Sequence, residues 1–291
     1  MASSPLTIFD SIPVLKPVEF EKISQLAYEH FGLDLRGGKQ GLVAARLGKK
    51  LRELGLKSFQ QYYDYVQADR SGVALAGMVD QLTTNHTSFF REPRHFDFLR
   101  KIVFPTLRAR SRIHIWSAPC SSGEEPYSIA MSLLEESPRE VAAKVRIRAT
   151  DISTRVLQKA RLGVYQEDRL QDIPAPLLQR YMFREQGDAL NSFRFKSEIR
   201  AMIDFEHLNL MQALPQGYSC SAIFCRNMMI YFDKPAQQGL VQRLSERLEP
   251  GGYFFIGHAE SLNGISHGLD YVCPATYRKP GGTRSGQMGR G

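Results

Sequence analysis

From Ile113 onward the chain changes its hydrophobic period, and this change is the strongest constraint on its fold. Short apolar runs alternate with amphipathic segments: "IHIWS" reads as a strand, "EEPYSIAMSLLEE" as a helix, "VRIRATD" as a strand and "STRVLQKARLGVY" as a helix. Further on come "MIDFEHLNL" and "SAIFCRN" as strands, "PAQQGLVQRLSERL" as a helix and "GGYFFIG" as a strand. Such alternation implies βαβ units and a mostly parallel, doubly wound sheet, hence an α/β class. Between Ile173 and Phe205 the two-residue alternation of "NSFRFKSEIRAMIDF" predicts a small antiparallel insert.

Upstream the period is helical. Apolar residues recur at three- and four-residue steps in "VEFEKISQLAYEHFGL", "KQGLVAARLGKKLRELGL" and "SFQQYYDYVQA", and Gly32, Gly37, Gly38, Gly55 and Gly72 punctuate them. A small all-α domain over residues 19–82 is therefore expected after an extension of residues 1–18. Residues 83–112 read as a linker, 113–279 as the α/β domain with its insert near 173–205, and the Gly-rich 280–291 as a disordered tail.

With 43% hydrophobic residues in 291, the chain can bury a full core. Its start, "MASSPLTIFDSIPVL", has no basic head followed by a long apolar run, so a cytoplasmic protein without direct membrane insertion is expected. Cys120, Cys220, Cys225 and Cys273 form no CxxC pair and have no histidine at ligand spacing, so buried free thiols and no metal are expected. The net charge of +8 is concentrated: Arg36 to Arg52 holds six basic residues and no acid. On a helix Lys39, Arg46 and Lys50 fall within an arc of roughly 40°, with Lys49 beside them, and form a basic stripe.

Ligands of an open α/β sheet bind beyond the carboxyl ends of its strands. After the first strand stands "SAPCSSGEEPYS", whose small residues let the backbone turn tightly. After the second stands Asp151, where an acid can receive the two hydroxyls of a ribose. The chain lacks both G-x-G-x-x-G and G-x-x-x-x-G-K-[ST], which excludes a P-loop and disfavours a dinucleotide enzyme. A ribose-bearing ligand without a pyrophosphate fits better. The polar stretch "LTTNHTSFFREP", Leu82 to Pro93, sets paired aromatics among hydrogen-bonding groups and belongs to neither a plain loop nor a plain core helix.

In this order "TTNHTSFFREPRHF", "WSAPCSSGEEPYSIAM", "ATDISTRVLQKARLGVY", "IFCRNMMIYFDK" and "LEPGGYFFIGHAES" resemble the CheR family of chemoreceptor glutamate methyltransferases, over roughly Glu19 to Lys279. The resemblance implies a Rossmann-like S-adenosylmethionine-dependent methyltransferase domain with a β-subdomain insert, preceded by a helical domain. It implies that Asn85, Thr87 and Arg91 meet the cofactor, with Phe89 and Phe90 anchoring their segment in the core. Glu125 matches the family's ligand to the methionine amino group, Asp151 the ribose acceptor, Asn209 and Leu210 the adenine-edge contacts, and Arg226 and Asn227 the pocket floor. Arg91 and Tyr231 match residues at the reacting groups, while His258 reads better as a structural histidine than as a base. Cys120 stands where a small residue would serve.

The implied reaction is attack of a receptor glutamate carboxylate on the sulfonium methyl group, giving a methyl ester and S-adenosylhomocysteine. The implied partners are chemoreceptor cytoplasmic helices, met by the stripe of Lys39, Arg46, Lys49 and Lys50. In some relatives the β insert also docks a receptor C-terminal peptide. No nucleic acid is expected, and a monomer is. One rival is a nucleic-acid methyltransferase, but "RNMMIY" lacks the paired prolines of base-methylating sites. The other is a non-catalytic receptor-docking module, against which the full set of polar motif residues argues.

Overall fold

The structure, a computed structural model, describes residues 13–83, 86–136, 138–186 and 191–281. The chain divides into two units, Met1–Thr84 and Asn85–Gly291. The first is built from α1 (Pro17–Phe31), α2 (Gln40–Glu53), α3 (Phe59–Ala68) and α4 (Val73–Leu82). Pro17 opens α1, and the Glu19 carboxylate accepts the Lys16 N–H at 2.8 Å and the Gln60 N–H at 3.1 Å, joining the start of α1 to that of α3. Ile23, Val43, Leu47, Leu51, Phe59 and Met78 fill the core of this unit at the helical spacing seen in the sequence. The Arg46 guanidinium donates to the Leu82 carbonyl, which satisfies an end group of α4.

The second unit begins with a helical stretch absent from the sequence reading: α5 (Arg94–Phe98), a π turn at Leu99–Val103 and α6 (Phe104–Leu107). Phe96, Leu99, Val103 and Leu107 are all buried, so this stretch packs as a helix where a linker was expected.

The central sheet contains β1 (Ile113–Ser117), β2 (Val145–Asp151), β6 (Ile203–His207), β7 (Cys220–Cys225), β8 (Leu248–Ile256), β9 (Asp270–Cys273) and β10 (Thr276–Arg278). Its order is β6-β2-β1-β7-β8-β10-β9. The first five are parallel and β10 pairs antiparallel with both β8 and β9, so the fold is the expected Rossmann-like arrangement with an added hairpin at one edge. β7 is buried along its whole length, as a parallel strand covered on both faces must be. From β1 the chain moves outward through β2 to β6, then returns to the other side of β1 as β7. The strand order therefore reverses between β1 and β7, which is where a ligand crevice forms.

The small sheet is antiparallel, in the order β3 (Val164–Gln166), β5 (Ser192–Phe195), β4 (Met182–Arg184). Its extent differs from the expectation. It begins before Ile173, at Val164, while Ser197–Arg200 is helical and Ile203–His207 belongs to the central sheet. The alternation in "NSFRFKSEIRAMIDF" is thus carried by two strands of different sheets. Phe195 stacks on Tyr127 at 4.0 Å between centroids, fixing the small sheet to α7 (Glu124–Leu134).

Phe89 fits the same cluster, fully buried, with its ring 4.9 Å from Tyr165 and 5.8 Å from Phe195. Phe90 is half-buried against Phe96, and its N–H donates to the Ser128 hydroxyl at 2.9 Å. The aromatic pair thereby anchors its segment to α7. Because the Phe89 ring is enclosed by the core of the second unit, Phe89→Ala should destabilise the protein by about 3–5 kcal/mol. Urea denaturation measures this, and an unchanged midpoint would remove Phe89 from the packing.

Candidate active site

The crevice at the β1/β7 reversal is built from four turns. After β1, the Ala118 N–H donates to the Phe224 carbonyl and the Cys120 N–H to the Thr150 carbonyl, both at 2.8 Å, so the loop is carried onward by the neighbouring strands. Its Gly123 has φ +100°, and a Cβ there would meet the Tyr165 hydroxyl at 2.7 Å. Only glycine serves at that position. The loop is also tied to the end of β2, because the Ser121 N–H donates to Asp151 Oδ2 at 2.8 Å. Asp151 Oδ1 accepts the Ser153 N–H at 2.9 Å. The helix after β2, Thr154–Leu162, takes its side-chain cap from Ser153, so capping that helix is not the task of Asp151.

Glu125, in the first turn of α7, accepts the Ser117 hydroxyl on Oε1 at 2.6 Å and Arg226 Nη1 on Oε2 at 2.9 Å. Arg226, just past β7, is 5% exposed and carries a guanidinium that cannot be neutralised, so it must be paired. Its Nη2 and Nε donate to Glu92 Oε2 at 3.0 and 3.3 Å, and Nη2 also reaches the Arg91 carbonyl. Glu92 Oε1 accepts Asn227 Nδ2 at 3.3 Å and the His258 N–H at 3.1 Å. On the far side of this loop, Glu260 takes the N–H groups of Asn227, Met229 and Gly257 at 2.7–2.9 Å.

Burial acts on all three carboxyls, with different outcomes. It pushes Glu125 above the ordinary carboxylate value despite Arg226 and Ser117, and it pushes Glu260 up against its backbone donors. At Glu92 burial also pushes upward, but Arg226, the His258 N–H and Asn227 together hold the carboxyl below its ordinary value.

The structure thus brings together Arg91, Glu125, Arg226 and Asn227. Asp151 lies beside them at the end of the next strand. Asn209 and Leu210 follow β6, joined to that end by the Leu208 N–H on the Asp151 carbonyl at 3.0 Å. The Asn209 side chain accepts the Met211 N–H at 2.9 Å and Leu210 is buried. The Thr87 carbonyl accepts Arg169 Nη2 at 2.8 Å, and the same nitrogen pairs with buried Glu124 at 3.0 Å. Tyr231 ends a 3-10 turn, Met229–Tyr231, four residues beyond Asn227. Asn85 lies outside the described residues.

Arg91 and Glu92 do not pair with each other: Arg91 Nη1 donates to the His86 carbonyl at 2.7 Å. Glu92, Ser117, Glu124, Arg169 and Glu260 were not singled out by the sequence. Both Glu92 and Glu260 nevertheless lie inside the quoted motifs "SFFREP" and "GHAES". A depression of about 540 Å³ along the edge strand β6, between Arg161 and Tyr218, is lined by none of the candidate site residues.

The stripe residues belong to the other unit. Lys39 donates to the Asp34 carbonyl at 2.6 Å, Arg46 holds Leu82, Lys50 pairs with Glu53 at 3.2 Å, and Lys49 is exposed. The four cysteines are free thiols. Burial first, then the negative charges of Asp151 and Glu125, push the Cys120 thiol well above its ordinary value, so no thiolate nucleophile stands in the crevice.

Residues 18–83 match the CheR methyltransferase all-alpha domain and residues 85–277 the CheR methyltransferase SAM binding domain. The chain belongs to the CheR methyltransferase family. It is 40% identical over 269 residues to a chemotaxis protein methyltransferase of Borreliella burgdorferi, covering 90% of this chain and 94% of that one. It is 40% identical over 260 residues to chemotaxis protein methyltransferase 2 of Pseudomonas aeruginosa, covering 89% of this chain and 92% of that one. The Escherichia coli chemotaxis protein methyltransferase is 37% identical over 252 residues, 86% of each.

In this CheR chain Glu92, His95 and His258 offer ligand atoms within 4.8 Å of one another. The Arg226 guanidinium stands on Glu92 at 3.0 Å, so a metal ion there would share that carboxylate with a second cation. His95 is 2% exposed, neither ring nitrogen has a hydrogen-bond partner among the described residues, and Glu92 Oε2 is 3.5 Å from Nδ1. Burial, then the charge of Arg226, pull its pKa from 6.5 down to about 3.

The unfolded chain therefore takes up this proton near the ordinary histidine value, while the folded chain refuses it until about pH 3. Stability from His95 is intact above that ordinary value and falls as pH drops between the two, by up to about 1.4 kcal/mol per unit. His95→Gln should flatten this part of the decline in urea denaturation at pH 7 and pH 5. Parallel declines in the two proteins would show that His95 titrates normally.

Proposed function

We propose that the chain transfers a methyl group from S-adenosylmethionine to glutamate side-chain carboxylates of chemoreceptor cytoplasmic domains, in the cytoplasm, giving glutamate methyl esters. The observation that carries this reading is the convergence of Glu125 and Asp151 on the loop after β1, in a chain of the CheR family. The donor set fits the cofactor. An acid at the end of β2 suits ribose hydroxyls, and an acid in the first turn of α7 suits an ammonium. When bound, S-adenosylmethionine supplies a methyl group on a positively charged sulfur.

The residues of the chain then have to bind, orient and exclude water. Asp151 is held in place by two backbone N–H groups, so it meets a ribose without rearranging. Asn209 and Leu210 border the adenine end, Arg226 and Asn227 the amino-acid end, and Thr87 and Arg91 close the crevice from the segment anchored by Phe89. Tyr231 orients the acceptor carboxylate with one hydrogen bond. No general base is required, because a glutamate with a pKa of about 4.3 is already ionised at neutral pH. Positioning is the main task, and it can lower a barrier by about 7–11 kcal/mol. Anion and cation cancel as the methyl moves, which a site with little water favours.

The decisive experiment incubates the protein with methyl-labelled S-adenosylmethionine and receptor cytoplasmic fragments, then treats the product with alkali. Label released as methanol marks a carboxyl ester; alkali-stable label, or label on nucleic acid, would overturn the reading. Asp151→Ala should weaken cofactor binding by about 1–3 kcal/mol in titration calorimetry, since a buried charged acceptor is lost. Equal affinity would remove Asp151 from the site.

Receptor helices bearing glutamates would be steered by the basic stripe. Arg46 holds the Leu82 carbonyl and Lys39 the Asp34 carbonyl, so Lys49 and Lys50 are the members whose reversal leaves these internal contacts intact. Lys49→Glu with Lys50→Glu should slow receptor methylation strongly at low ionic strength and less at high salt, with cofactor affinity unchanged. Methylation rates that match the wild type at every salt concentration would remove the stripe from receptor binding.

A further inference from the structure

The way Arg226 is shared between two carboxylates points to a residue that the sequence motifs leave without a role. A guanidinium presents its donors in a rigid fork, and when two edges are available it closes on a carboxylate with two parallel bonds. Here Arg226 does not close on Glu125, to which it gives Nη1 alone at 2.9 Å. The Nη2 and Nε edge is turned instead to Glu92, at 3.0 and 3.3 Å. Glu92 is itself fixed, by Asn227 Nδ2 at 3.3 Å and the His258 N–H at 3.1 Å. Its backbone sits at φ 59°, a conformation that a residue with a side chain rarely adopts. Such backbone strain persists only where the surroundings over-determine it.

Glu125 consequently has one N–H on Oε2 and the Ser117 hydroxyl on Oε1, against a capacity of about four acceptor positions for a carboxylate. Two carboxylates against one guanidinium also leave this part of the crevice with an excess negative charge, which a ligand ammonium would balance.

We infer that Glu92 is a positioning residue: by holding the Nη2 and Nε edge of Arg226 it prevents a bidentate Arg226–Glu125 pair, and so keeps Glu125 able to accept the charged amino group of S-adenosylmethionine. The inference rests on the reading of Glu125 given above. Without the Glu92 charge, Arg226 turns to Glu125 and closes a neutral pair. The ammonium then enters a crevice with no excess negative charge.

The test uses the full chain carrying Glu92→Gln, titrated with S-adenosylmethionine and separately with methylthioadenosine, which has the same nucleoside but a neutral thioether in place of the sulfonium and no amino-acid end. Affinity for S-adenosylmethionine should fall about tenfold or more, the scale of one charge-assisted hydrogen bond, while affinity for methylthioadenosine stays within about twofold. Equal losses for both ligands would show that Glu92 only maintains the shape of the crevice, and overturn the inference. Undiminished S-adenosylmethionine affinity overturns it as well. If Glu125→Gln binds S-adenosylmethionine as tightly as the wild type does, the reading of Glu125 fails, and the inference with it.

Discussion

A buried guanidinium is the constraint around which the crevice is organised. Arg226 lies at the carboxyl end of a strand that is covered on both faces, and an unpaired charge there would cost several kcal/mol. It is paired on two sides, by Glu125 from the start of α7 and by Glu92 from the segment anchored by Phe89. Each acid belongs to a different stretch of chain, so pairing one cation fixes three segments relative to one another. The second carboxylate layer extends this order. Glu260 gathers three backbone N–H groups around Gly257, where an added Cβ would lie 2.4 Å from Asn227 Nδ2. The loop after β7 is therefore tied by its own hydrogen bonds, as a site that works by positioning would require.

The parallel strands and their helices were legible because each carries its own signal. An apolar run such as "SAIFC" can be a strand buried on both faces, and "STRVLQKARL" carries both a serine cap and a helical stripe. The edge hairpin was not legible. β9 is largely exposed and short, and its partner follows a turn through Pro274 and Ala275, the latter at φ 60°. The helix spanning residues 94–107 did carry a signal, since Phe96, Leu99, Val103 and Leu107 keep the helical step. Pro93 and Pro105 obscure it by punctuating the stretch, although proline is compatible with the first turn of each α segment.

Within the site, residues at strand ends were readable, because fold topology states where a ligand must lie before any contact is known. Asp151 was read in this way, while Glu125 was read from the family resemblance. What stayed hidden was the pairing among charges. Arg91 beside Glu92 reads as a local ion pair, yet the left-handed backbone at Glu92 turns consecutive side chains apart, and its true partner lies 134 residues away. Likewise, no periodicity connects Glu260 to the N–H of Asn227. Such contacts depend on the tertiary path of the chain and leave no trace in sequence spacing.

The pairing also limits what Arg226 can do during methyl transfer. An arginine closed on the attacking carboxylate would stabilise that anion before reaction and lose the interaction as the ester forms, which raises the barrier. Arg226 is kept from this by geometry, because its donors are directed to Glu125, Glu92 and the Arg91 carbonyl, all parts of the protein. Arg91 is restrained more loosely, through one bond to the His86 carbonyl on the same segment. In the proposed reaction the buried Arg226 would shape the cofactor end, and the acceptor would meet half-buried Tyr231 and the more loosely held Arg91. In a reaction whose charges cancel as it proceeds, that division places the strong electrostatics where they bind and the weak electrostatics where bonds change.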